Sequence, residues 1–123
     1  MPDTLSITQR DYDAQNNEPW RSALLFVDAN NAPISLADTQ WLMHLRRTPR
    51  GLLELELSTE NGRLFISDTL GTLAIEVPEA AVRHLSGEYT YDLKETVSGR
   101  IFQIGKIVVT DGETRKGDIY AAA

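Results

Sequence analysis

The chain has no cysteine. That excludes disulfides, thiolate nucleophiles and cysteine-ligated zinc, and leaves stability to packing alone. Histidine is nearly as scarce: His44 and His84 are the only two. His44 falls on a strand face and His84 at a helical corner, so both read as structural or solvated, not as acid–base groups. A Gly-rich phosphate loop, a His-x-x-x-His pair and a serine nucleophile elbow are all missing, so no catalytic residue is assigned and a non-enzymatic protein is expected. Basic residues are outnumbered, 12 against 18, giving a net charge of −6. The field of such a molecule repels nucleic acid and anionic membrane. The one basic cluster, Arg46, Arg47 and Arg50, reads as a solvated strand end and loop. No apolar run approaches the roughly 20 residues of a membrane-spanning helix. The opening Met1–Asp11 carries acids where a signal peptide would carry basic and apolar residues, so synthesis and retention in the cytoplasm are expected.

What is present suits one folded unit: 123 residues, 41% apolar and 24% charged, predict a single domain over 1–123 with a core at about 4–110. Helical periodicity is nearly absent, and short alternating segments recur at the roughly 8–12-residue spacing of sandwiches and barrels. The predicted strands are Thr4–Gln9, Trp20–Val27, Gln40–Arg46, Leu52–Glu60, Arg63–Asp68, Thr72–Val77, Glu88–Lys94 and Arg100–Thr110. Asp11–Pro19 is polar and reads as a loop, so Tyr12 is expected to matter little to stability. The stretch 28–33 (DANNAP) is a turn, and Ile34–Leu36 a short edge segment. In Gln40–Arg46, alternation places Trp41, Met43 and Leu45 on the core face. Asn61-Gly62 predicts a two-residue type I′ hairpin turn. Its register would gather Leu53, Leu55, Leu57, Leu64 and Ile66 on one face. Pro78–Leu85 is the one helical stretch, about two turns.

Oxygen-rich segments invite a calcium reading at Asp11 and Asp13 or at Asp28, Asn30 and Asn31, but neither has the glycine and glutamate of an EF-hand loop. Turn formation explains them, and neither metal nor cofactor is expected. Glu54 and Glu56 share a strand face and read as solvated. Trp20 opens its strand, as a half-buried rim residue or as an interface anchor. The tail Asp111–Ala123 has no core pattern and reads as mobile or held by a partner, with Ile119 and Tyr120 as its anchors.

The motif Leu85-Ser-Gly87-Glu-Tyr89-Thr-Tyr91-Asp92-Leu93 follows the helical crossover. In immunoglobulin-like domains a tyrosine at that corner returns its hydroxyl to backbone upstream, which makes Tyr89 the candidate. Tyr91 then takes the place of the second cysteine of antibody domains, and Trp41 matches their buried tryptophan. The predicted fold is an all-β, immunoglobulin-like antiparallel β-sandwich with one short helical corner. With Asp28-Ala-Asn-Asn-Ala-Pro33-Ile-Ser-Leu36, Trp41-Leu-Met-His-Leu-Arg46 and Leu57-Ser-Thr-Glu-Asn-Gly62-Arg-Leu, the chain resembles the immunoglobulin-like proteins of tailed bacteriophages, and is similar in layout to the N-terminal domain of phage baseplate upper proteins. The resemblance spans about positions 4–115. It implies a virion structural protein of the tail, baseplate or fibre-attachment region, made in the host cytoplasm, oligomeric in the particle and in contact with other virion proteins. A capsid decoration protein, or a carbohydrate- or receptor-binding module, is the alternative.

Overall fold

The computed structural model describes residues 8–114. Nine strands and one helical turn follow in order: β1 Thr8–Gln9, β2 Tyr12–Gln15, β3 Trp20–Leu25, β4 Trp41–Arg46, β5 Leu53–Ser58, β6 Leu64–Ile66, β7 Thr72–Val77, α1 Glu79–Val82, β8 Gly87–Glu95 and β9 Arg100–Thr110. They build two sheets. One has the order β1-β9-β8-β4-β5, with β2 also on β9; the other has the order β3-β7-β6. Both opening strands run parallel to the last, and every other pairing is antiparallel. This strand order, with a helical corner leading into β8, is that of an immunoglobulin-like sandwich. The expected fold is present, although its first pairings are parallel.

Period-two alternation explains most of the strands. Trp41, Met43 and Leu45 of β4 are buried, as are Leu73, Ile75 and Val77 of β7 and Tyr89, Tyr91 and Leu93 of β8. Their inner faces form one core, to which each fully buried large side chain contributes roughly 1.5–3 kcal/mol. At its margin the buried Trp41 packs on the partly buried Phe26 and Phe102, with ring centroids 5.0 and 5.3 Å apart.

The structure corrects several expectations. Asp11–Pro19 is not all loop: Tyr12 and Ala14 point inward while Asp13 and Gln15 face water, so a polar-looking segment is a strand. The predicted first strand is seen only at Thr8–Gln9, and positions 4–7 lie outside the described residues. Ile34–Leu36 forms no strand; a single bridge joins Val27 to Pro33. The helix is one turn, not two. Asn61-Gly62 makes no hairpin, because β5 and β6 lie in different sheets. Gly62 has φ +79°, but Asn61 lacks the positive φ that a type I′ turn needs. Its side chain instead ties the crossover, with Oδ1 accepting from the amides of Ser58 and Arg63, both at 3.0 Å.

Two core assignments are displaced. Leu64 and Leu57 are buried, but Ile66, the last residue of the edge strand β6, is 39% exposed. A bulge between Leu45 and Arg46 sets Leu53 opposite Arg46, on the outer face, and leaves it 44% exposed.

Two local constraints shape the large sheet. Between β1 and β2 the chain crosses Gly105 so closely that a Cβ there would lie 2.0 Å from the Arg10 carbonyl oxygen. At the opposite end, the buried Glu95 carboxylate accepts from the amides of Gln40 (3.0 Å), Val97 (2.9 Å) and Ser98 (2.8 Å). Burial pushes its pKa up, but these bonds, with the Ser98 side chain, outweigh that and hold it at about 2.

Gly105→Ala should lower stability by about 2–3 kcal/mol in urea melts, because backbone must move to admit the methyl group. For Glu95 the sign follows from a folded pKa below the ordinary 4.5. Its contribution is complete above that value and fades as pH falls toward about 2. Glu95→Gln should therefore melt well below the parent at pH 6, by roughly 1–3 kcal/mol, with the gap closing in acid.

Candidate functional site

The helical corner is pinned by Tyr89, whose hydroxyl accepts from the Ser86 amide at 2.9 Å. Its ring is buried, and the Arg47 guanidinium lies 4.2 Å from the ring centroid. Tyr91 is also buried, but its packing is not simply apolar. Its hydroxyl donates to the Arg10 carbonyl at 2.6 Å and lies 2.9 Å from Gln103 Oε1. The Tyr12 hydroxyl meets the same Gln103 oxygen at 2.7 Å. Burial raises the pKa of both phenols, and the field of Tyr12 raises that of Tyr91 further. Tyr12 therefore belongs to the core network, against the expectation that it matters little.

Trp20 is neither rim nor anchor: it is 4% exposed and meets Tyr12 edge-on, with centroids 5.8 Å apart. Opening a strand does not expose it, because β2 folds over it. Ile119 and Tyr120 lie outside the described residues. The stretch 111–114 is tied down: Asn16 Nδ2 donates to Asp111 Oδ1 at 2.8 Å, and Asn17 Nδ2 to the Thr114 carbonyl at 2.7 Å.

Among the described residues the two histidines are apart from each other and separately engaged or exposed. His44 Nε2 is engaged with Glu56 Oε1 at 2.9 Å, and His84 is exposed at the corner. Among the described residues no three His, Asp or Glu side chains are placed to hold a metal ion.

The two outer faces differ. On the three-stranded sheet, register aligns Arg21 with Glu76, Ala23 with Ala74 and Phe65, and Leu25 with Thr72. The centre of this face is apolar, with Leu25 59% and Phe65 42% exposed. Arg21 and Glu76 close one end as an ion pair at 3.6 Å. Leu70, in the turn before β7, is exposed as well. Both edges, β3 and β6, are unpaired by strands among the described residues. The sequence signal was Ala23-Leu24-Leu25, apolar at consecutive positions where a one-sided strand would alternate.

The outer face of the large sheet is charged and carries a depression of about 490 Å³. Thr90, Asp92 and Ile104 floor it, and the loop carrying Pro49 and Arg50 walls it, with Arg46 and Lys106 alongside. Two members of the basic cluster thus share one concavity, while Arg47 turns to Tyr89. Arg46 Nη1 is held by the Gly51 carbonyl at 2.7 Å. Arg50 is the third residue of a turn closed by the Gly51 amide on the Thr48 carbonyl at 2.9 Å, and its φ is +68°. Glycine is the residue of choice there, and the left-handed region costs an L-residue roughly 1–2 kcal/mol.

No protein-family model and no curated protein matches the chain. Solved structures similar to it include the extracellular domain of the voltage-gated sodium channel beta4 subunit, with a TM-score of 0.38 and 8% identity over 92% of this chain and 100% of that one. Another is the ZIG-8 IG1 homodimer, with a TM-score of 0.33 and 14% identity over 85% of this chain and 82% of that one.

The polar knot yields a stability test. Tyr89→Phe and Tyr91→Phe should each cost about 1–3 kcal/mol in urea melts, because each strands a bonded backbone group. Tyr12→Phe should cost a comparable amount. Its effect should be non-additive with Tyr91→Phe, since both hydroxyls share Gln103; strict additivity in the double-mutant cycle would disprove the shared bond.

Proposed function

We propose that this domain is a non-enzymatic docking module that works by protein–protein contact, and that the outer face of its three-stranded sheet is the docking surface. The observation that carries the reading is the apolar centre formed by Ala23, Leu25, Phe65 and Ala74 on a sheet whose two edges are unpaired by strands among the described residues. Exposed apolar patches and unpaired edges invite association, and no lysine lies on β3, β6 or β7 to blunt it. The occupant is a second copy of the chain. An apolar centre closed at one end by one cation and one anion, Arg21 and Glu76, is complementary to itself under a two-fold rotation. The finer setting, a structural part of a phage particle in the tail, baseplate or fibre-attachment region, is supported by the order and spacing of the sequence motifs.

Equilibrium sedimentation tests the surface. The parent should associate reversibly, and Leu25→Glu with Phe65→Glu should shift it to monomer while leaving the melt of the monomer nearly unchanged. A parent that stays monomeric at high micromolar concentration removes this surface as the docking face. For the setting, the chain should be found by mass spectrometry in gradient-purified particles, and its absence from them would remove the virion role.

A further inference from the structure

We propose that the depression on the outer face of the large sheet binds an acidic peptide segment of a partner protein, and that Arg50 is held in its strained backbone conformation to serve that site. The face lies on the opposite side of the sandwich from the apolar one, so the inference stands apart from the docking surface above.

Three observations carry it. The first is charge: in a chain of net −6, Arg46, Arg50 and Lys106 meet around one concavity, with Asp92 the one carboxylate among its lining residues. Nearby Glu88 lies 3.6 Å from Lys106, and Glu56 is engaged by His44. A cationic hollow on an acidic molecule selects anions locally while the outer field rejects loose polyanions. The second is preorganisation: the Gly51 carbonyl accepts from Arg46 Nη1 at 2.7 Å and His44 Nδ1 lies 3.4 Å from Nη2, so the guanidinium is oriented from both ends before a ligand arrives. The third is the strain: a Thr48-Pro49-Arg50-Gly51 turn with positive φ at Arg50 is the arrangement in which glycine would fold more easily. An arginine kept in glycine's place points to a use for its guanidinium.

The lining also says which carboxylate bearer fits. Ile104, 43% exposed, and Pro49 offer aliphatic contact, whereas Tyr91, the one tyrosine, tryptophan or phenylalanine in the lining, is buried in the core, and the His44 ring is engaged by Glu56. Sugar rings stack on exposed tyrosine, tryptophan or phenylalanine, and the lining offers no such face. An acidic peptide with an aliphatic neighbour satisfies both the arginines and Ile104.

Fluorescence anisotropy at low salt with a labelled oligoglutamate peptide containing leucine tests this, with oligogalacturonate as the sugar probe. The parent should bind the peptide, and added salt should weaken the complex. Arg50→Gly should weaken it at least about tenfold while its melting temperature is unchanged or higher, separating binding from folding. Lys94→Ala removes a charge from the same sheet outside the depression, and should leave binding as it is. Equal loss from Lys94→Ala and Arg50→Gly would show diffuse attraction and overturn the site. Peptide binding that ignores Arg50, no peptide binding by the parent, or oligogalacturonate bound at least as tightly would each overturn it too.

Discussion

A shared hydrogen-bond knot does for this sandwich some of the work that a disulfide does in other immunoglobulin-like domains. Tyr91 on β8 reaches the Arg10 carbonyl and Gln103 on β9, and Tyr12 on β2 reaches the same glutamine. Three strands are fastened, and the Tyr12 ring carries the link across to Trp20 in the other sheet. The knot exists only because β1 and β2 lie close against β9, and that approach depends on Gly105 having no side chain. Buried phenols and an amide left unpaired would be costly, so the crossing and the knot require each other.

How far sequence shows this depends on whether the deciding interaction is local. Alternation in Trp41–Arg46 and Thr72–Val77 is a local property, and both strands face as the pattern demands. The Tyr89 corner is nearly local, since its partner Ser86 is three residues upstream. By contrast, Asn61-Gly62 has the chemistry of a hairpin, yet pairing with β4 on one side and β7 on the other draws β5 and β6 into different sheets. Tertiary pairing overrode turn propensity, and Ile66 left the core with it, while the β4–β5 bulge turned Leu53 outward. Tyr12-Asp-Ala-Gln15 was hidden for another reason. Its strand is short and its outward residues are all polar, so only the partner strand β9 makes it recognisable.

The same limit applies to surfaces. Nothing local in Arg46 and Arg50 says that a sheet brings Lys106, about sixty residues later, beside them; β4, β8 and β9 do that. The outward row Ala23–Ala74–Phe65 likewise needs three strands in register before it becomes a face. Individual residues were visible, but their company was not.

Arg50 and Glu95 show opposite solutions to placing charge in a fold this small. Glu95 is buried and satisfied by three backbone amides, so its charge stabilises the end of the sheet. Arg50 is exposed, sits in a backbone region that disfavours it, and lies in a turn that its neighbour Gly51 could fill more easily. Stability alone favours glycine at that position, since removing the strain gains more than the extra freedom of the unfolded chain loses. A charge with no hydrogen bond or ion pair from its side chain among the described residues makes physical sense when something outside the fold meets it, and the concavity shared with Arg46 is where that meeting has room to occur.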